Sequence, residues 1–331
     1  MIVASYDGQI IENQTITSDG DNAITVNFYR NVIIRNCVLR HRGGSGVRAT
    51  LADNLIIENT FCVDYWSGAN GIVGPSPNIT LDRCSDAIVR NCRTDLGSSG
   101  VYVLLCHNPL IEQIEGHNIR GPSPRGQLVQ FNQCTSPILR SFSVANDLGL
   151  GWTEDNVSVF ATQNATISNG LLDGNNSPSG WAVMFEDSTG TCSDVDALNW
   201  SNGAFATSGS SGVVFTRCRA RDSYAPCSQG RGSPSSGSLV FGSIGGSSGT
   251  QFLDCAYYNL ENPNNIVYGP GQISSFDAAL SDFVPRNYIR SSAPFTYWDQ
   301  DAVSSSSWSE KSKQSETWTE RTKDAESWTD A

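Results

Sequence analysis

One short phrase recurs along most of this chain, and it limits the possible architectures more than any single residue does. The phrase alternates in polarity, is rich in Val and Ile, and ends in Asn-Cys in its clearest copies. The copies are NVIIRNC at 31–37, NLIIENT at 54–60, DAIVRNC at 86–92, NPLIEQI at 108–114, SPILRSF at 136–142, NATISNG at 164–170, GVVFTRC at 212–218 and GTQFLDC at 249–255. Their irregular spacing indicates a structural repeat with loops of different length inserted between copies.

A period of two residues indicates a strand, because the apolar residues of a helix would recur every 3.6 residues. A second alternating run precedes the phrase, and a third short run follows it. The preceding runs are Ile24–Phe28, Val47–Leu51, Ile79–Arg83, Val101–Leu105, Leu128–Asn132 and Val157–Ala161. The pattern predicts an all-β fold, a parallel β-helix in which the three strands of each coil stack on those of the next, with about nine to eleven coils.

The repeat ends near residue 290, so the sequence predicts a β-helix domain over 1–290 and an extended tail over 291–331. In the tail, Trp308, Trp318 and Trp328 recur at a spacing of ten. In an extended chain this even spacing places the three rings on one side. Trp dominates interface energetics, so we interpret the tail as an anchor for a partner. The alternative is a disordered segment that contains Trp.

The net charge and the N-terminal sequence limit the functions that the chain can have. The 331 residues carry a net charge of −12, which weighs against a nucleic-acid partner, because such a partner requires a basic stripe and the sequence shows none. The opening MIVASYDGQIIENQTI has neither a basic segment nor a long apolar one. We therefore expect no signal peptide, no membrane insertion and synthesis in the cytoplasm.

Ten cysteines are present, and four of them, Cys37, Cys92, Cys218 and Cys255, share the last position of the phrase. We expect them to stack as small buried thiols without structural disulfides. The chain has no CxxC pair, and none of its histidines, His41, His107 and His117, has a spaced partner. No metal site and no cofactor are expected.

Within the phrase, the second and fourth positions are predicted to point inward and the third and fifth outward. The fifth position reads Arg35, Glu58, Arg90, Glu112 and Arg140, which predicts a ladder of modest surface ion pairs. The third reads Ile33, Ile56, Ile88, Leu110 and Ile138. This apolar row is either covered by loops or a terminal segment, or is a partner-binding interface. Asn at the sixth position (Asn36, Asn59, Asn91, Asn169) suits the left-handed conformation of a bend.

The strand before the phrase presents a different surface. Its outward residues are Thr25, Asn27, Arg48, Thr50, Thr80, Asp82, Tyr102, Leu104, Gln130, Asn132, Ser158 and Phe160. Hydroxyls, amides, charges and rings in this mixture hydrogen-bond to sugars and stack on them. Variable loops with recurrent Pro-Ser turns border this surface, and binding residues concentrate in such loops. The predicted ligand-binding residues are Arg48, Asp82, Tyr102, Gln130 and Asn132, with Trp152 at the rim.

Glu154 and Asp155 are the candidate catalytic pair. Glycoside cleavage uses two carboxyl groups placed on either side of the scissile bond. The alternative is that two adjacent acids after Gly-Trp-Thr only solvate a turn.

The Val/Ile phrases with Asn and Cys at stacked positions resemble the right-handed parallel β-helix superfamily of pectate lyases, polygalacturonases, alginate epimerases and bacteriophage tailspikes. The resemblance covers about residues 1–290. It transfers no catalytic residue, because the chain lacks an Asp-Pro-His-Asp run, a Gly-His-Gly and a clustered Asp set. The Trp-Thr tail is similar to short tail segments of phage structural proteins. The resemblance also implies self-association, commonly as a trimer.

Two functions follow from these features. In the first, the chain is a phage virion-associated spike or fibre-type protein that binds a bacterial surface polysaccharide and is docked to other virion proteins by its tail. In the second, it is a polysaccharide lyase or glycoside hydrolase of the same fold. The expected lack of a signal peptide favours the first, since a secreted enzyme needs an export route.

Overall fold

The computed structural model describes residues 1–65, 76–121, 125–147, 153–174, 180–200, 203–223, 239–258, 267–268, 272–273 and 276–277. In these ranges the regular structure is all strand, and no helix has the length and apolarity needed to cross a membrane. The chain divides into two units, Met1–Pro294 and Phe295–Ala331. The predicted boundary at residue 290 and Trp308, Trp318 and Trp328 lie outside the described residues.

The strands are short, and most alternate buried and exposed side chains. In the first half of the chain they are β1 (Ile2–Val3), β2 (Ile10–Glu12), β3 (Thr15–Asp19), β4 (Ile24–Asn27), β5 (Ile33–Arg35), β6 (Val38–Arg42), β7 (Val47–Thr50), β8 (Ile56–Glu58), β9 (Phe61–Asp64), β10 (Ile79–Asp82), β11 (Ile88–Asp95), β12 (Val101–Leu104), β13 (Leu110–His117), β14 (Val129–Asn132) and β15 (Ile138–Ala145). In the second half they are β16 (Val157–Phe160), β17 (Ala165–Asp173), β18 (Trp181–Glu186), β19 (Gly190–Trp200), β20 (Gly203–Ser208), β21 (Val214–Thr216), β22 (Arg219–Ser223), β23 (Leu239–Ile244), β24 (Gln251–Leu253), β25 (Cys255–Tyr258), β26 (Val267–Tyr268), β27 (Gln272–Ile273) and β28 (Phe276–Asp277).

Each strand pairs in parallel with its counterparts one coil earlier and one coil later. The first sheet has eleven strands in the order β1, β4, β7, β10, β12, β14, β16, β18, β20, β23 and β26. Ile24 lies opposite Val47, and Val47 lies opposite Ile79. This stacking confirms the predicted all-β fold, a right-handed parallel β-helix.

The second and third strands of a coil meet at a single bent residue. That residue, the sixth of the phrase, has a positive φ in Asn36, Asn59, Asn91, Gln113, Ser141, Asn169, Asp194, Arg217 and Asp254. In the middle coils the two strands run through the bend, which makes β11, β13, β15, β17 and β19 long. The left-handed conformation predicted for the Asn residues is confirmed, and Asn91 donates its amide N–H to Asn59 Oδ1.

The core lies inside the coil and changes character along the solenoid. Val32 and Ile34, the second and fourth positions of one phrase, are fully buried, as predicted. Toward the C-terminal coils Phe replaces Ile and Val, and the Phe215 and Phe252 rings stack with centroids 5.0 Å apart. Burying such a side chain stabilises the fold by about 1.5–3 kcal/mol.

The nine described cysteines are free and buried. They do not form one stack: Cys218 and Cys255 lie on adjacent coils, but Thr60 separates Cys37 from Cys92. Burial is the main cause that raises the pKa of the Cys92 thiol to about 12, so this thiol stays protonated in the folded chain.

A second column of thiols and hydroxyls lines the corner after the first strand. The Cys84 backbone N–H donates to Cys106 Sγ at 3.2 Å, and further along the Cys134 N–H donates to Thr162 Oγ1 at 3.0 Å. Ser188 and Ser210 continue the same bonding. Because each side chain satisfies a buried N–H of the preceding coil, the column stabilises a corner where the sheet ladder is interrupted.

Candidate functional site

The outward side chains of the first sheet form two rows that run along the solenoid, which we call the first-sheet strip. One row contains Thr25, Arg48, Thr80, Tyr102, Gln130, Ser158 and Met184, and the other contains Asn27, Thr50, Asp82, Leu104, Asn132, Phe160 and Glu186. Alternation brings these residues to the outer face, and parallel register aligns them from coil to coil.

Four side chains in the middle of the first-sheet strip form one connected group, the central cluster: Tyr102, Arg125, Gln130 and Asn132. The Arg125 guanidinium lies over the Tyr102 ring, with Cζ 3.8 Å from the centroid, and its Nη1 donates to Gln130 Oε1 at 2.9 Å. Asn132 Nδ2 donates to the Tyr102 hydroxyl at 3.3 Å. Gln130 is buried and holds the Arg125 side chain in place, so the groups that the cluster presents to a ligand are those of Tyr102, Arg125 and Asn132.

Three carboxyl groups adjoin this part of the first-sheet strip. Glu186 is on the strip itself, and Glu154 and Asp155 precede β16. Asp155 is buried and its Oδ1 accepts the Trp181 backbone N–H at 2.6 Å, while Glu154 Oε2 accepts from Gln127 Nε2 at 3.2 Å.

The carboxyl groups influence one another electrostatically. Burial, with the nearby Glu154 and Glu186 carboxyls, raises the pKa of Asp155 well above its usual range. Burial also raises the pKa of Glu186, and Glu154 and Asp187 add to the effect. A carboxyl group whose ionised form is disfavoured is suited to donate a proton.

An apolar group bounds the C-terminal side of the first-sheet strip. The Trp181 ring packs with Met184, Ala206 and Ile244. A Cβ at Gly203 would lie 2.2 Å from the Trp181 ring, so only glycine leaves room for this packing. Met184 and Ala206 continue one row of the first-sheet strip and Ile244 continues the other, so the outer face becomes apolar here.

The predicted ligand-binding residues are thus partly assembled. Tyr102, Gln130 and Asn132 come together in the central cluster, whereas Asp82 pairs with its chain neighbour Arg83 at 2.9 Å. Asp82 and Gln130 were predicted to lie on an open surface, but both are buried. Arg48 lies exposed, two coils from Tyr102. Trp152 lies outside the described residues, as do all or part of the Pro-Ser turns at 74–78, 121–126, 176–180 and 232–237.

Sequence reasoning missed two residues of the site, although the sequence contains a feature that points to each of them. Glu186 follows from the alternation in WAVMFE at 181–186, which extends the outward row by one coil. Arg125 is in GPSPRG at 121–126, a loop beside the first-sheet strip. Its position over Tyr102 depends on loop conformation, which no periodicity encodes.

The histidines are not grouped for catalysis. His41 is buried, with Nδ1 2.6 Å from the Gly44 carbonyl oxygen and Nε2 2.7 Å from Asn78 Oδ1. Among the described residues, no group of three or more His, Cys, Asp or Glu side chains could hold a metal ion.

The comparison with protein families agrees with the fold. The family model described as "Right handed beta helix region" matches residues 1–121, and no curated protein matches the chain in sequence. The A-module of an Azotobacter vinelandii mannuronan C-5 epimerase is 13% identical with a TM-score of 0.43, covering 82% of this chain and 83% of its own.

Two further solved structures are similar to this chain. An alginate lyase from a Paenibacillus species is 10% identical with a TM-score of 0.39, covering 82% of this chain and 89% of its own. The tailspike of an E. coli bacteriophage, solved in complex with a hexasaccharide, is 13% identical with a TM-score of 0.35, covering 77% of this chain and 53% of its own.

Proposed function

We propose that the first-sheet strip binds a polysaccharide, with the central cluster as its main contact. The observation that carries this proposal is the connected set of Tyr102, Arg125, Gln130 and Asn132. Sugars present hydroxyl groups around their edges and C–H groups on their faces. Amides and a guanidinium match the edges, and an aromatic ring matches a face.

The form of the first-sheet strip suits a chain-like ligand better than a compact one. Equivalent side chains recur every coil, about 4.8 Å apart, so successive sugar residues can contact successive coils. Phe160, which is 37% exposed, extends the aromatic surface one coil beyond Asn132, whereas Ser158 in the neighbouring row is buried. Such a ligand lies along the solenoid axis and ends near the Trp181 apolar group.

The binding test compares two tyrosines. Tyr102→Ala removes the ring under Arg125 and should weaken binding of purified capsular polysaccharide from candidate host bacteria about tenfold. Tyr6→Ala is the matched control, because Tyr6 is 58% exposed in the first coil and is not part of the first-sheet strip. Equal binding by both variants and the parent protein, measured by calorimetry, would contradict the proposal.

Within this proposal, the chain is a virion-associated spike or fibre-type protein of a bacteriophage that recognises a bacterial surface polysaccharide. The support is in the sequence: an acidic chain, the resemblance to tailspikes and the Trp308, Trp318 and Trp328 spacing. Deleting residues 304–331 should abolish incorporation into particles while the thermal transition of the solenoid is kept. Normal incorporation of the truncated chain would refute the anchoring role.

A second candidate function is cleavage of the bound polysaccharide, and the raised pKa of Glu186 favours it. In hydrolysis Glu186 would protonate the leaving glycosidic oxygen while Glu154 takes a proton from the water that attacks the sugar carbon. Asp155 accepts the Trp181 backbone N–H and would keep the neighbouring Glu154 in position. Following reducing ends and the absorbance of unsaturated uronates tests hydrolysis and elimination separately. Cleavage that persists in Glu186→Gln would exclude this assignment.

A further inference from the structure

The outward apolar row of the second strands extends over six coils, one more than the sequence pattern predicted. Parallel register aligns its members in the order Ile10, Ile33, Ile56, Ile88, Leu110 and Ile138. The two ends are the most open, since Ile10 is 48% and Ile138 is 38% exposed. In the next coil Thr166 takes the place of the branched apolar residue.

A charge ladder runs beside this row over the same six coils. Its members are Glu12, Arg35, Glu58, Arg90, Glu112 and Arg140. They pair in couples: Arg35 with Glu12 at 2.7 Å, Arg90 with Glu58 at 2.6 Å and Arg140 with Glu112 at 2.6 Å. The ladder ends where the apolar row ends, because Ser168 follows Arg140. The two rows therefore form one bounded patch, the second-strand patch.

The order of charges in this patch has a property that matters for self-association. Six alternating charges, read in reverse, have the opposite sign at every position. If a second copy faces the first with its solenoid reversed, Glu12 meets Arg140, Arg35 meets Glu112, and Glu58 meets Arg90. All facing charges are then opposite, which is the complementarity that a specific interface requires.

Only one two-fold axis brings both rows into register. An axis parallel to the strands, midway between the Glu58 and Arg90 coils, reverses the solenoid but keeps positions along each strand. Apolar row then faces apolar row, and ladder faces ladder. If the two solenoids are parallel instead, each coil lies beside the same coil of the other copy. Glu then faces Glu and Arg faces Arg wherever the two ladders meet.

We propose that the second-strand patch is a self-complementary interface on which a second copy of this chain docks antiparallel. The flat part of each phrase lies between two bent residues with positive φ, such as Asn31 and Asn36, and so spans four residues. Six coils at about 4.8 Å and four residues at about 3.3 Å give a face of about 29 Å by about 13 Å. This is roughly 380 Å² per copy, the size of a weak, transient contact. The chain therefore dimerises reversibly, and its arrangement differs from the trimer that the resemblance implied.

Disulfide crosslinking tests the direction of the two copies. In the proposed dimer, position 33 faces position 110 of the second copy, while the two lie three coils, about 14 Å, apart within one chain. The variant Ile33→Cys with Leu110→Cys should form a covalent dimer on mild oxidation, because only the interchain pair comes within bonding distance. Each single variant should remain uncrosslinked. Dimers from Ile33→Cys alone would indicate parallel solenoids and overturn the proposal, as would no crosslink at all.

Charge reversal supplies a second, independent test by sedimentation. Arg35→Glu should weaken dimerisation about tenfold or more, and adding Glu112→Arg should restore it, because the facing pair is rebuilt with the charges exchanged. Ile56→Asn should also abolish the dimer. The control Leu51→Asn removes a 41% exposed leucine outside the patch and should not affect it. A monomer at every concentration, or no rescue by the double variant, contradicts the proposal.

Discussion

The first-sheet strip and the second-strand patch are built on the same coils, yet they differ in how their side chains are organised. On the second-strand patch each contact repeats from coil to coil, as in the couples Arg35 with Glu12 and Arg90 with Glu58. On the first-sheet strip Arg125 enters from a loop and joins side chains of two different strands. Regular repetition stabilises the register and offers a surface for another copy, whereas irregular convergence creates a site for a ligand.

The largest expected effect is a difference in stability between substitutions on the two faces of one strand, β8. Ile57 is fully buried and Ile56 points outward. Ile57→Ala should lower the free energy of unfolding by about 2–5 kcal/mol, because it leaves a cavity in the core. Ile56→Ala should cost about 1 kcal/mol or less. Chemical denaturation measures both, and similar losses would contradict the assigned register.

The next prediction compares two arginines, one on each surface. Arg125→Ala should weaken polysaccharide binding about tenfold, since it removes both the cation–π contact and a hydrogen bond to Gln130. Arg140→Ala, which removes a surface pair with Glu112, should leave binding within about twofold of the parent. Calorimetric titration of both variants with the same capsular polysaccharide distinguishes the two surfaces.

The stability of the chain should depend on pH through Asp155, one of the carboxyl groups beside the first-sheet strip. The pKa of Asp155 is raised in the folded state, so the folded chain holds a proton that the unfolded chain releases. Its contribution to stability is present below the ordinary aspartate pKa and is lost as pH rises through the folded value. Asp155→Asn should therefore stabilise the chain at pH 8 more than at about pH 4.

The control for this pH effect is Asp21→Asn, since Asp21 is exposed and far from β16 along the chain. Thermal melts of parent and variants across this pH range measure the difference. A destabilised Asp155→Asn variant at pH 8 would mean that the charged form of Asp155 is the stabilising one.

The smallest effect is expected within the charge ladder. Within the monomer, Glu58→Gln removes the ion pair with Arg90 and changes little else. Because Arg90 is 44% exposed, the loss should be about 1 kcal/mol or less and should shrink further at high salt. A much larger loss in monomer stability would show that the ladder supports the fold itself and is more than a register device.

Much of the fold could be predicted, because the Val/Ile alternation of 31–37 and its copies encodes strand, face and register together. Three coils escaped detection. GQIIENQ at 8–14 resembles the phrase but lies before its clearest copies, and β19 has Gly190, Thr191 and Ser193 where the first coils have apolar or charged residues. Inward positions Cys192 and Val195 keep that coil in place. The third is the coil of β27, in which Gln272 and Ile273 pair with Gln251 and Phe252.

The site was less predictable, for a physical reason. Tyr102, Gln130 and Asn132 follow from strand alternation and were identified. Arg125 depends on the path of a loop, and loop conformation is determined by tertiary contacts. The packing of Trp181 could not be predicted for the same reason. Its ring packs with outward side chains only because Gly203 leaves space for it.

Hydroxyl-radical footprinting with mass spectrometry tests most directly whether the first-sheet strip is the ligand site. The intact protein is labelled with and without capsular polysaccharide, and oxidation of individual side chains is compared. Tyr102 and Phe160 should be protected, while Ile10, on the second-strand patch, should be oxidised to the same extent in both samples. Protection of Ile10 with unchanged labelling of Tyr102 and Phe160 would place the ligand on the other face and contradict the proposed function.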